Sequence, residues 1–219
     1  MDRAQVKFGE WIERGFSLYK ENFGLLVLAA LVALVVSLVT VGLLAGPMLA
    51  GLALITLALY DKKEPKPELR NIFRGFDYFL NAFLFILVWF LIILVISAVL
   101  NVVPVIGQLA SIVFSLAAQT LLMFGLYLIV DEQMGFWSAS QESISMVRTN
   151  FWPFFGLFLV SEIIGSIGAI ACGIGVIFTA PIQFCILTVA YRDVFHESRD
   201  SDADWNASPG ETEEDGPAL

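Results

Sequence analysis

The chain has 219 residues, 58% of them hydrophobic and 15% charged, with a formal net charge of −9. Soluble domains average about 45–50% apolar and about 25% charged residues, so this balance excludes an ordinary soluble domain and favours a membrane class. The acidity is local: eight acids after His196 (Glu197, Asp200, Asp202, Asp204, Glu211, Glu213, Glu214, Asp215) against Arg199 carry −7 of the total. The nearly neutral remainder has no basic face of the kind that binds nucleic acid.

In chain order, three stretches are almost free of charge: Asn22–Tyr60, Tyr78–Val130 and Thr149–Tyr191, with Glu162 the exception. Each is about twice the roughly 20 apolar residues that one crossing needs, and each carries a Gly, Pro or Asn break near its middle. The pattern predicts an all-α, polytopic membrane protein with six transmembrane helices arranged as three hairpins. The helices are expected near Phe23–Thr40, Leu44–Tyr60, Phe79–Leu100, Pro104–Val130, Phe151–Ala171 and Ile174–Tyr191. Turns fall near Val41–Pro47, Asn101–Gly107 and Ala171–Gly175. Pro47 and Pro104 stand where helices start, which suits a residue without an N–H. Pro181 falls inside the sixth helix and predicts a kink.

An amphipathic, interfacial helix is expected before each hairpin. Phe8, Trp11, Ile12, Phe16 and Tyr19 make the first apolar stripe; Ile72, Phe73, Phe76 and Leu80 the second; Phe136, Trp137, Ser140, Ile144 and Val147 a weaker third. Such helices lie in the headgroup plane; the plainer reading is a cover packed on the end of the bundle. Asn22, Asn81 and Asn150 mark the helix starts, and Tyr60-Asp61, Tyr127 with Asp131, and Tyr191 with Asp193 mark the exits. These marks suggest a threefold repeat, 7–61, 68–131 and 135–193, within a membrane domain at 1–196. A disordered acidic tail is expected at 197–219.

All twelve basic residues sit before, between or after the apolar blocks, and none at a mid-block turn. With three hairpins, every one then faces the same side. The positive-inside rule makes that side cytoplasmic, with both termini inside. No short apolar segment near the start ends in a small-residue cleavage site, so no cleavable leader is expected.

Few residues could carry chemistry. Glu162 falls near mid-membrane, where a charge costs at least about 2.5–3.5 kcal/mol. It is either a relay or ligand contact, or an interhelical bond to a neighbour such as Gln183 or Gln119. Gln108, Ser111, Ser115 and Gln119 form one polar stripe on the fourth helix, which with Thr179 and Gln183 could line a polar cavity beside Glu162 or simply bond helices together. Ser161, Gly165, Ala169 and Gly173 repeat every fourth position, and Gly42 with Gly46 make a GxxxG match; small residues let helices approach closely. Cys172 and Cys185 read as core. A single histidine and the absence of phosphate-loop, HExxH, CxxC or GxSxG motifs leave no catalytic residue, metal site or cofactor to expect.

The last third carries Asp131-Glu132, Gly135-Phe136-Trp137-Ser138-Ala139, Glu142-Ser143, Val147-Arg148-Thr149-Asn150-Phe151, Gly165, Gly168, Gly173-Ile174-Gly175, Ala180-Pro181 and Ala190-Tyr191-Arg192-Asp193. This pattern resembles a broad family of bacterial six-helix integral membrane proteins, similar to the membrane domain of glycerophosphodiester phosphodiesterases. The resemblance implies a bacterial inner-membrane protein. It implies no catalytic residues, because the phosphodiesterase barrel is not among these residues. The expected function is therefore non-enzymatic: a membrane protein associated with lipids, or an accessory or organising subunit partnering another membrane protein, in an oligomeric state the sequence leaves open. The alternative is a small transporter or channel that uses Glu162 and the fourth-helix stripe.

Overall fold

Runs of Leu, Val, Ala and Phe without charge leave the backbone no polar competitor for its own hydrogen bonds, and they fold as helices. The computed structural model describes residues 7–170 and 175–207. It is all-helical, about 85% helix, with no strand among the described residues. The helices are α1 (Phe8–Glu21), α2 (Phe23–Val39), α3 (Ala45–Tyr60), α4 (Phe79–Leu100), α5 (Ile106–Leu122), α6 (Gly125–Asp131), α7 (Phe136–Thr149), α8 (Phe151–Ile170) and α9 (Val176–Ala207). A 3₁₀ segment, Leu69–Tyr78, leads directly into α4.

Consecutive helices pair as α2 with α3, α4 with α5 and α8 with α9, while α1 lies along α9. By length and composition three stretches could cross a membrane: Leu69–Leu100, Ile106–Asp131 and Val176–Phe195. A fourth is added if α1 and α2, which meet at 89°, count together. Helix α3 and residues Phe151–Ser166 are apolar but shorter. The 16 residues of α3 reach about 24 Å, against about 30 Å of hydrocarbon.

Several expectations change. The expected fourth helix is found as one apolar stretch, Ile106–Asp131, interrupted by a turn at Met123–Phe124 between α5 and α6. Every residue from Leu122 to Val130 is buried, so α6 is covered on all sides up to Asp131, its last residue. Phe124 is fully buried, with its ring 5.8 Å from those of Phe154 and Phe195. Pro104 lies in the α4–α5 turn, not at a helix start. Helix α9 runs through the boundary expected at 196 and on to Ala207, so the first part of the expected tail is helical; residues 208–219 lie outside the described part.

The amphipathic segments act first as covers. Trp11, Gly15 and Tyr19 recur at four-residue steps and are buried; at Gly15 a Cβ would stand 2.7 Å from the Ile186 backbone. In α7 the buried positions are Ala139, Ser140, Ser143 and Val147, a stripe shifted from the expected one, and Trp137 faces outward. The second segment differs in kind. With three residues per turn, side chains three apart stand directly above one another. Ile72 and Gly75 are buried against α3, where a Cβ on Gly51 would meet the Ile72 carbonyl oxygen at 1.9 Å. On another face Phe73, Phe76 and Phe79 stack at 6.5 and 6.3 Å, and Phe83 continues the row at 5.7 Å. Phe73 is half exposed, and Leu80 also faces outward.

Candidate functional site

The largest convergence of polar chemistry lies where helices end. Tyr60 and Asp61 close α3, Asp131 closes α6, and Tyr191, Arg192 and Asp193 follow the apolar part of α9. All three ends meet. Arg192, whose side chain is 8% exposed, donates to both oxygens of Asp131, at 2.6 and 2.9 Å, and to Asp61 at 2.6 Å. The fork of the guanidinium suits this pairing. Tyr191 donates its hydroxyl proton to Asp131 at 3.0 Å.

A second centre adjoins it. Asp193 accepts from Trp11 Nε1 at 2.8 Å, from Arg14 at 2.7 Å and from the Tyr60 hydroxyl at 3.2 Å, and Arg14 also donates to Tyr60. Lys63 lies 3.5 Å from Asp61. Asp61, Asp131 and Asp193 are thus met by Arg192, Arg14 and Lys63, with phenol and indole N–H donors filling the gaps. A balanced set of this kind satisfies itself. One orphan remains: Arg192 Nε is buried without a partner. Sequence reasoning singled out Tyr60, Asp61, Asp131, Tyr191 and Asp193 as exit marks, and Asp131 and Tyr191-Arg192-Asp193 also within the resembling pattern, but missed their convergence and the part played by Arg14 and Arg192. The available signal was a charge standing at the end of each apolar run.

The expected intramembrane polar set separates into pieces. Glu162 on α8 accepts from Gln183 Nε2 on α9 at 2.7 Å, one of the two neighbours expected for it. The fourth-helix stripe does not join them. Ser111 bonds the Gln108 carbonyl at 2.8 Å and reaches Asn101 at 3.5 Å, and Ser115 lies 3.4 Å from Ser97 of α4. Gln119 is exposed and bonds the Ser115 carbonyl, and Gln108 is exposed too. The stripe therefore serves the α4–α5 contact and its own backbone. Thr179 caps the α8–α9 crossing by donating to the Gly165 carbonyl at 2.6 Å.

Among the small residues, Ser161 is buried and a Cβ on Gly165 would stand 2.8 Å from Gln183 Oε1, so this part of the row makes an internal α8–α9 contact. At Gly168, which the every-fourth spacing passes over, a Cβ would stand 2.2 Å from Gly175 backbone. Gly46 packs on α4, with its Cβ position 2.7 Å from the Ala82 carbonyl oxygen. Gly42 does not pack as the GxxxG reading expected: it occupies the α2–α3 turn at φ +83°, with nothing within 4 Å of its Cβ position. The turn demands that left-handed backbone, which glycine alone adopts without strain. The side chain of Ala169 lies outside the described part, as do Gly173 and Cys172; Cys185 is buried in the core.

The rim outside these clusters is basic and aromatic. Lys62, Lys63 and Lys66 follow α3, and Arg70 stands one 3₁₀ turn before the Phe73–Phe76–Phe79 column. No cluster of His, Cys, Asp and Glu able to hold a metal ion occurs among the described residues. Comparison of the chain with protein-family models, with curated proteins and with solved structures gave no match.

Proposed function

We propose that this is a multi-pass membrane protein, six helices in three hairpins with both termini cytoplasmic, that works through lipids or through another membrane protein and not as an enzyme. The observation that carries the reading is the rim: a stacked, outward-facing phenylalanine column begins beside Arg70 and Arg74 and continues into α4, whose outer face exposes Phe90, Leu91, Leu94 and Val95. Basic residues followed by aromatic rings and then aliphatic surface reproduce the order of headgroup, interface and hydrocarbon. The meeting of Asp61, Asp131 and Arg192 supports the hairpin topology, since three chain exits in hydrogen-bond contact lie on one side.

The test is mass spectrometry of lipid and protein retained when the protein is extracted in native-lipid nanodiscs, compared with bulk membrane. Enrichment of one lipid class supports the lipid reading, and a co-purifying membrane protein supports the accessory role. Bulk-like lipid without a partner sinks both. The transporter reading keeps one supporting observation, the Glu162–Gln183 pair between α8 and α9. It requires that Glu162→Gln abolish flux while the protein still folds.

A further inference from the structure

At the rim, a groove of about 680 Å³ opens between α1, the end of α3 and the segment 61–67, a size in the range of small-ligand sites. Its walls hold four cations, Arg14, Lys62, Lys63 and Lys66, against two acids, Glu21 and Glu64. The cations are not equivalent. Arg14 is committed to Asp193 at 2.7 Å, and Lys63 lies 3.5 Å from Asp61. Glu21 accepts from Ser17 at 3.2 Å. Lys62 and Lys66 have no carboxylate within ion-pair distance among the described residues. Lys62 is held at φ +50°, just after α3 ends, where the Lys63 N–H returns to the Ala58 carbonyl at 3.0 Å.

With Arg14 and Lys63 taken, Lys62 and Lys66 stand against Glu21 and Glu64, so the groove offers two unpaired ammonium groups and no net surplus of charge. Lys66 also borders a neighbouring cavity walled by Glu68, Arg70 and Arg74; Glu68 takes Arg70 at 3.0 Å, and Arg74 adds a third cation without an ion pair among the described residues at the foot of the aromatic column. A soluble anion has no use for that column. A phospholipid uses both: its phosphate among the ammonium groups, its chains along the rings and the outer face of α4.

We propose that the groove binds the phosphodiester headgroup of an anionic membrane lipid, with Lys62 and Lys66 as the charges that select it. The proposal rests on the lipid reading above and adds the site and the class of lipid. Lysine suits it, because an ammonium acts as a point charge with three rotatable donors and tolerates several headgroup poses.

The experiment reconstitutes the full chain in nanodiscs of phosphatidylcholine with a minor share of phosphatidylglycerol, then measures by mass spectrometry the lipid that survives mild detergent exchange. The native sequence is expected to retain phosphatidylglycerol about tenfold above its share, as two surface cations of ordinary strength allow. The Lys62→Gln/Lys66→Gln pair should bring retention down to the bulk ratio. Lys62→Arg/Lys66→Arg should restore it, and Lys7→Gln, an exposed lysine outside the groove, should leave it unchanged. Enrichment that survives in the glutamine pair while both proteins remain folded overturns the groove and spares the lipid reading. No enrichment in the native sequence overturns both. Complete displacement of the lipid by excess inorganic phosphate would show that a soluble anion fills the site, and would overturn the lipid assignment.

Discussion

The α4–α5 hairpin and the meeting point of α1, α3, α6 and α9 obey opposite rules. Along α4 only Ala82 and Phe85 are buried, and one face from Leu80 to Val99 shows large apolar side chains outward. At the meeting point charge lies inside: Arg192 is buried with Asp61 and Asp131 around it, and Trp11, Tyr127 and Tyr191 are almost completely covered. An apolar face left open makes sense against hydrocarbon. A dense ionic cluster at the helix ends makes sense where hydrophobic burial no longer distinguishes neighbour from solvent and directional bonds must fix which helices meet.

The largest break in this contrast is expected from Arg192→Met. It leaves Asp61 and Asp131 facing each other without the cation between them, and removing one partner of a buried ion pair costs about 3–5 kcal/mol. Thermal unfolding in detergent should fall by about 10 °C or more. Adding Asp61→Asn and Asp131→Asn to the same variant should recover much of the loss, since the remaining damage is then only lost bonding. If the single variant unfolds like the native chain, the cluster holds nothing together.

Leu91→Arg probes the other side. Leu91 is 47% exposed near the middle of α4. Against hydrocarbon an arginine there costs about 2.5–3.5 kcal/mol on insertion scales, whereas on a watery surface it would stay within about 0.5 kcal/mol. A glycosylation-mapping or protease-protection assay of helix insertion separates the two. Normal insertion and stability would remove the membrane-facing role assigned to α4.

How much of this was legible differs between the two regions for a physical reason. The outer hairpin is local: absence of charge over Phe79–Leu100 placed α4 at its observed ends. Even the stacked column is visible as Phe at 73, 76 and 79, a step of three that the expected amphipathic helix, with Ile72 beside Phe73 and Phe76, misread. Ile72 is buried and Phe73 is not, because a 3₁₀ turn sends neighbours to different faces. The meeting point is non-local. Arg192 bonds residues 61 and 131 positions away, and no periodicity encodes such a partner. The break at Met123–Phe124 also escaped, since only the surrounding helices explain why Leu122 to Val130 are all covered. The continuation of α9 escaped because an acidic, polar segment reads as disordered by composition.

The middle of the contrast is packing by close approach, and Gly51→Ala tests it. The added methyl would meet the Ile72 carbonyl at 1.9 Å, a backbone atom that cannot swing aside. Overpacking of this kind costs about 1–3 kcal/mol. The 3₁₀ segment should loosen from α3, and hydrogen exchange over residues 69–78 should rise while the exchange of α6 stays unchanged. Equal change in both would mean that the segment and the core unfold as one unit.

The smallest expected effect falls on the residue that looked sharpest in the sequence. Glu162 accepts one bond from Gln183 across α8 and α9, and interhelical bonds of this type average about 0.6 kcal/mol. Glu162→Ala should therefore lower stability by less than the Gly51→Ala change, and Glu162→Gln, which still presents an oxygen to Gln183, by less again. A loss of several kcal/mol in the alanine variant would place Glu162 with Arg192 as a second anchor. The contrast would then no longer separate a lipid-facing shell from one ionic centre, because the crossing of α8 and α9 would depend on a polar bond as strongly as the helix ends do.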